Sequence, residues 1–275
     1  DECDVCNGGG IADGACDCEG NVEDCAGDCG GDAVVDDCGV CGGDGSSCQF
    51  ASVQVIHNSA SPTVDIYLNS NLAIEDFKYR SATPVLELPT SFTVGVAPAD
   101  GDIIAEFDFE LENGGSYVVV ATGLLGNSDT PFGLAASATK FGASSSDVVG
   151  LEVYHGSTDA PSVDIYANDS ILLADFSYGD FSGFVEVPVA DYTLGVAPAG
   201  GDLIAAFTAP LSELGGGSAV AFASGFLFGD DPAFGLFAAL NDGTVLALLA
   251  LDQDCAGDFG GDAVVDDCGV CGGDG

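Results

Sequence analysis

The chain has 275 residues, 47% of them hydrophobic, and sets 45 acidic side chains against only Lys78, Arg80 and Lys140, for a formal net charge of −42. That balance excludes nucleic acid and anionic membrane surfaces as partners, because phosphate binding needs Lys and Arg. It leaves two roles for the acids: loops that bind divalent cations through oxygen, or a solvated surface that keeps the protein soluble.

The length is that of about two domains plus extras. The chain divides into residues 1–48, rich in Cys, Asp and Gly; two related halves, 51–147 and 148–251; and residues 252–275, again rich in Cys, Asp and Gly. All twelve cysteines lie in the two outer segments. Dense cysteine in short, Gly-rich, core-poor segments reads as a disulfide framework in an oxidising compartment, hence an extracellular or cell-surface location. The longest apolar run, residues 245–251, is too short to span a bilayer, so no membrane insertion is expected.

Residues 24–45 read DCAGDCGGDAVVDDCGVCGGDG and return as residues 254–275 with 21 of 22 positions identical, so repetition has to be considered before fold. The one change sets Phe259 where the first copy has Cys29. Asp1, Cys3, Val5, Cys6, Gly8 and Gly10 echo Asp266, Cys268, Val270, Cys271, Gly273 and Gly275. The chain therefore enters partway through one module and leaves partway through another, as a processed product or a piece of a longer array would.

Within the module Asp24, Asp28, Asp32 and Asp36 recur every four residues, followed by Asp37 and Asp44; the second copy supplies Asp254, Asp258, Asp262, Asp266, Asp267 and Asp274. Calcium takes six to eight oxygens from carboxylates and tightly turned carbonyls. The interspersed glycines allow such turns. Carboxylates this dense and uncompensated repel one another unless neutralised, so calcium is the expected cofactor. The alternative is an acidic disulfide knot with no specific metal.

Because the second copy lacks the Cys29 equivalent, the bonds common to both copies should not need Cys29. A consistent scheme is Cys25–Cys38, Cys41–Cys48 and Cys255–Cys268, with Cys6–Cys16 and Cys18–Cys29. Cys3 and Cys271 are then left to pair outside the sequence or between adjacent subunits. The C-x-x-C pairs Cys3/Cys6, Cys38/Cys41 and Cys268/Cys271 could also serve zinc or redox chemistry. The oxidising compartment argues against zinc, and the acidic surroundings oppose a lowered thiol pKa.

The two halves share long matches. VQVIHNSASPTVDIY at 53–67 pairs with LEVYHGSTDAPSVDIY at 151–166, and FTVGVAPADGDIIA at 92–105 with YTLGVAPAGGDLIA at 192–205. Short β-branched and aromatic runs bounded by Gly, Pro, Asn and Ser predict about seven strands per half, an all-β pair of Ig-like sandwiches. Residues 71–77 could form one helical turn at most, and a hinge is expected at 142–147. Residues 244–251, with almost no polar face, read as a fully buried strand or as one shared with a neighbour by edge addition. His57 and His155 occupy equivalent positions and read as hydrogen-bonded structural residues.

The motif V-H-x-S-x-x-A-P-x-V-D-I-Y followed by Y-T-x-G-V-A-P-A-G-G resembles the bacterial family of domain of unknown function 4397, over residues 51–250. The resemblance implies a β-sandwich found in secreted and surface proteins, often in tandem, with no established catalytic residues. The first half departs from it where Ser61-Pro62 replaces the D-A-P that Asp159-Ala160-Pro161 keeps. The flanks resemble Asp/Cys/Gly repeats of bacterial surface proteins. CGVCGGDGSSC at 38–48 is similar to a disulfide-bonded loop of secreted animal metalloproteases. The acidic repeats are loosely similar to thrombospondin type 3 repeats, which wrap calcium, though the D-x-D-x-D-G loop is missing.

No nucleophile elbow, H-E-x-x-H or phosphate loop is present, so no enzyme is expected. The leading expectation is a repeat unit of an extracellular fibre, head to tail with copies of itself, its sandwiches joined by calcium- and disulfide-stiffened linkers. The alternative is an adhesin or a module binding surface glycans or protein.

Overall fold

The computed structural model describes residues 3, 8–168, 170–229 and 231–273, and among these there are strands and turns but no helix. The first half contains β1 (Phe50–His57), β2 (Val64–Leu68), β3 (Asn71–Phe77), β4 (Ser81–Ala82), β5 (Leu86–Pro89), β6 (Ser91–Pro98), β7 (Ala105–Glu110), β8 (Ser116–Thr122) and β9 (Gly133–Ala138). The second contains β10 (Val148–His155), β11 (Val163–Ala167), β12 (Ser170–Phe176), β13 (Val185–Pro188), β14 (Asp191–Pro198), β15 (Ala205–Pro210), β16 (Ser218–Ser224), β17 (Gly235–Leu240) and β18 (Val245–Ala247).

Each half is a sandwich of two sheets. One sheet runs β4-β1-β8-β9, with β5 also on β1, and faces β3-β2-β6-β7; in the second half β13-β10-β16-β17-β18 faces β12-β11-β14-β15. The first strand of each half runs parallel to its later neighbour, β1 with β8 and β10 with β16, and every other pairing is antiparallel. Alternation along β1 sends Val53 and Val55 into the first sandwich, where they meet Val64, Ile66, Phe77, Val96 and Val119.

The opposite faces of β1 and β10 are also buried, and carry large apolar residues beside Gln54 and Glu152. Ile56, Val118 and Val120 of the first half form one buried cluster with Tyr154, Val220, Phe222 and Ala239 of the second. The outer faces of the two five-stranded sheets therefore pack on each other, and the halves share a core. Burying side chains such as Ile56, Tyr154 and Phe222 is worth about 1.5–3 kcal/mol each, so this seam holds the two sandwiches together.

Three sequence expectations are corrected. Residues 71–77 form the edge strand β3, not a helical turn; Asp65 Oδ1 accepts the Asp76 N–H at 2.9 Å across an irregularity in the β2–β3 ladder. The segment at 142–147 is fastened rather than hinged: Gly142 N–H donates to Ser218 Oγ, Ala143 N–H to the Gly216 carbonyl and Ser144 N–H to Glu186. Residues 245–251 are not fully buried. They cross from the edge of β17 to a bridge with Phe207 on β15, packing half-buried Leu248 against the core while Leu246 and Leu249 stay exposed.

Candidate functional site

The residues shared by the two halves build scaffold. His57 Nε2 donates to the Pro62 carbonyl at 3.1 Å and its Nδ1 accepts the Ser59 N–H; His155 Nε2 meets the Pro161 carbonyl at 3.3 Å. Burial pushes both imidazoles below their ordinary value of 6.5. Ser59 and Ser157 donate to the Gly123 and Gly225 carbonyls. The V-D-I-Y aspartates span two elements: Asp65 takes the Asp76 and Asp100 N–H groups, and Asp164 those of Asp175 and Gly200. Asp159 holds Leu227 N–H and Phe228 N–H, a role for which Ser61 has no carboxylate. The motif thus pins loops to strands through these hydrogen bonds, with His155 Nδ1 left buried without a partner.

The seam between the halves carries polar groups in near-twofold pairs. Tyr79 OH meets Ser224 Oγ at 2.6 Å, and Tyr178 OH meets Thr122 Oγ1 at 3.2 Å. Gln54 Nε2 donates to Leu240 and Thr83 carbonyls; at the equivalent place Glu152 Oε1 accepts from Ser137 Oγ. Glu152 Oε2 is buried without a partner, and burial pushes the carboxyl above its ordinary 4.5. Asn58 reaches across to the Ala223 carbonyl at 3.0 Å, through space that a side chain at its counterpart Gly156 would occupy. Arg80 stacks on Phe237 at 4.3 Å and donates to the Ser224 and Ala233 carbonyls.

The outer modules are stacked turns with a twelve-residue period. Each turn is headed by an aspartate that folds backbone around itself. Asp24 accepts N–H from Ala26, Asp28 and Ala33; Asp36 from Cys38, Val40 and Gly45; Asp254 from Ala256, Asp258 and Ala263. Asp266 repeats this with Cys268 and Val270. These backbone donors, foremost Asp28, Val40 and Asp258, hold Asp24, Asp36 and Asp254 below the usual carboxylate range. The glycine seven residues on is obligatory: a Cβ at Gly31, Gly43, Gly261 or Gly273 would collide with the heading carboxylate.

The disulfides follow this stacking and correct the expected scheme. The bonds are Cys3–Cys18, Cys16–Cys29, Cys25–Cys41, Cys38–Cys48 and Cys255–Cys271. Bridges Glu23↔Cys29 and Val35↔Cys41 fold each turn on itself and turn its sixth residue toward the turn before. Cys25 and Cys41 consequently stand 5.5 Å apart at Cα, and Cys25 does not pair with Cys38. Cys41 is not joined to Cys48, nor Cys18 to Cys29, and Cys3 and Cys271 are bonded rather than left over. Cys268 is free and exposed. The premise that the shared bond avoids Cys29 holds, since Cys25–Cys41 and Cys255–Cys271 are equivalent. Cys6 lies outside the described residues.

Of the twelve aspartates expected to hold calcium, Asp24, Asp36, Asp254 and Asp266 head turns, and Asp44 accepts Ser46 N–H and Oγ. Asp28, Asp32, Asp37, Asp258, Asp262 and Asp267 are exposed. Asp274 lies outside the described residues. Among those described, no group of three or more His, Cys, Asp or Glu is disposed to hold a metal ion.

One feature escaped sequence reasoning. Between the sheets of the first sandwich lies a cavity of about 460 Å³, lined by Val53, Val55, Ile66, Phe77, Phe109 and Leu134 among others and opening past β3 and residues 81–86. Among the described residues the second sandwich has spaces of about 60 and 50 Å³ in its core. At about 24 cal/mol per Å³, a sealed void of the larger size would cost on the order of 11 kcal/mol, as much as the whole stability of a typical domain. The signal was in the repeat alignment: Ala73, Glu75 and Lys78 stand where the second half has Leu172, Ala174 and Ser177.

Comparison with known families finds the description "Domain of unknown function (DUF4397)" matched twice, over residues 51–146 and 149–254. No curated protein matches the chain.

Proposed function

The chain belongs to the DUF4397 family, and from that premise we propose that it is a non-catalytic structural unit of an extracellular fibre, in which disulfide-stacked turns link double sandwiches head to tail. The observation that carries this reading is the recurrence of one connector on both sides of the double sandwich. Its turns are headed by Asp24 and Asp36 on one side and Asp254 and Asp266 on the other, with the equivalent bonds Cys25–Cys41 and Cys255–Cys271. Five disulfides belong to an oxidising, extracellular setting. Cross-linked turns are stiff because the bonds remove alternative conformations, and the shared core makes each pair of sandwiches one block. Calcium enters the proposal as the ion that neutralises the exposed module aspartates Asp28, Asp32, Asp37, Asp44, Asp258, Asp262 and Asp267.

The test is electron microscopy of the native material untreated, with a calcium chelator and with a reductant. Continuous filaments that fragment on reduction and loosen on chelation are expected. Filaments indifferent to chelation would remove calcium from the proposal. Separate particles under every condition would overturn the fibre and favour a surface-binding module.

A further inference from the structure

The first sandwich is hollow where its sister is full. In the second, Leu172 takes the place of Ala73 on the edge strand, and Leu248 enters the core from residues 245–251. In the first, the corresponding stretch, 141–147, is bonded to the second half instead. The cavity is thus left open by sequence differences within one chain, at positions where the same fold accepts larger residues.

Its chemistry is one-sided. The interior wall is hydrocarbon, and the polar atoms of Thr83 are already spent, Oγ1 on the Val55 N–H and the carbonyl on Gln54. A sugar or peptide entering it would lose hydrogen bonds to water and find none. A hydrocarbon would displace poorly bound water and regain packing. The about 460 Å³ available lies within the roughly 300–1,000 Å³ range of small-molecule sites. The charged groups lie at the mouth, where exposed Glu75 and Asp76 outnumber Lys78 on a chain of net charge −42. That field disfavours an anionic end group.

We propose that the first sandwich binds one elongated hydrocarbon molecule with an uncharged polar end, of the class of a long-chain alcohol, with its chain between the sheets and its polar end beside Glu75, Asp76 and Lys78. The site is independent of the fibre reading and would exist in a separate particle.

The test uses the full chain and the uncharged fluorescent probe N-phenyl-1-naphthylamine. One saturable site per chain is expected, with 1-dodecanol displacing the probe at about tenfold lower concentration than dodecanoate. Ala73→Trp, at the exposed rim, should weaken uptake by about tenfold or more without altering the melting temperature. Ala121→Leu fills the interior from the opposite sheet and should weaken it too. Leu172→Ala should open the second sandwich and raise the stoichiometry toward two. Absence of saturable uptake, or uptake unchanged in both filling variants, would overturn the site. Stronger displacement by dodecanoate would overturn the uncharged end group.

Discussion

Gln54 and Glu152 occupy the same place in the two halves, and each keeps one buried oxygen without a partner. Gln54 also gives its N–H groups to two carbonyls, whereas the Glu152 carboxyl has no amide N–H to give. Burial raises the Glu152 carboxyl above its ordinary 4.5. An acid raised on folding contributes stability that is present in full below its unfolded value and is lost as pH climbs through that value toward the folded one. Glu152→Gln should remove this loss, its amide finding the Ser182 and Ala138 carbonyls that correspond to those of Thr83 and Leu240. An unpaired buried polar group costs about 1–3 kcal/mol, so calorimetry near neutral pH should show the variant melting a few degrees higher, the gap closing toward pH 4.5. Equal melting temperatures across that range would refute the assignment. At this scale the sequence was readable where repetition marked it: His57 and His155 were read as structural and are buried and hydrogen-bonded. It was unreadable for Gln54, Glu152 and Ile56, because alternation along a strand identifies two faces but not which neighbour covers the second.

At the scale of elements, strands bounded by turn residues were legible because β-branched runs between Gly and Pro carry their own signal. Among the described residues nine strands per half replace the seven expected: short pieces β4 and β5 lie beside β1 in the first half, and β13 beside β10 and β18 beside β17 in the second. The module was legible as a repeat but not as a stack. The near-identical 22-residue copies mask a shorter period that aligns Asp24 with Asp36, Cys29 with Cys41 and Gly31 with Gly43. That period decides the disulfides, since an aspartate must gather its turn before Cys25 can face Cys41. Asp24→Ala should therefore raise the fraction of mispaired isomers on oxidative refolding of the reduced chain. Asp32→Ala, which alters an exposed carboxylate in the same module, should not. Peptide mapping without reduction reads both. Equal scrambling in the two variants would mean the cysteines pair without guidance from the turn.

For the whole molecule, the tandem was legible but its union was not. Two halves with their own motifs predicted two beads and a hinge, yet one buried cluster draws on both, and the stretch expected to flex is bonded to the second half. The sequence does carry a trace of this. Ile56 and Tyr154 are large apolar residues on faces that would meet water if each sandwich stood alone. Inter-domain contacts within a chain are ordinarily polar enough to allow relative motion unless they are large and hydrophobic, and this one joins a hydrophobic cluster to buried, hydrogen-bonded side chains such as Gln54 and Asn58. The described double sandwich should accordingly unfold in a single transition, with calorimetric and van't Hoff enthalpies in agreement. Arg80→Ala removes a stacked guanidinium and its bonds to Ser224 and Ala233, which should cost about 1–3 kcal/mol while leaving the transition single. Ile56→Asp places a charge inside the seam and should split the transition in two, since each half keeps its own core between its own sheets. Two transitions in the unmodified chain would show that the halves fold separately and that the seam is a consequence of their proximity rather than a cause of their union.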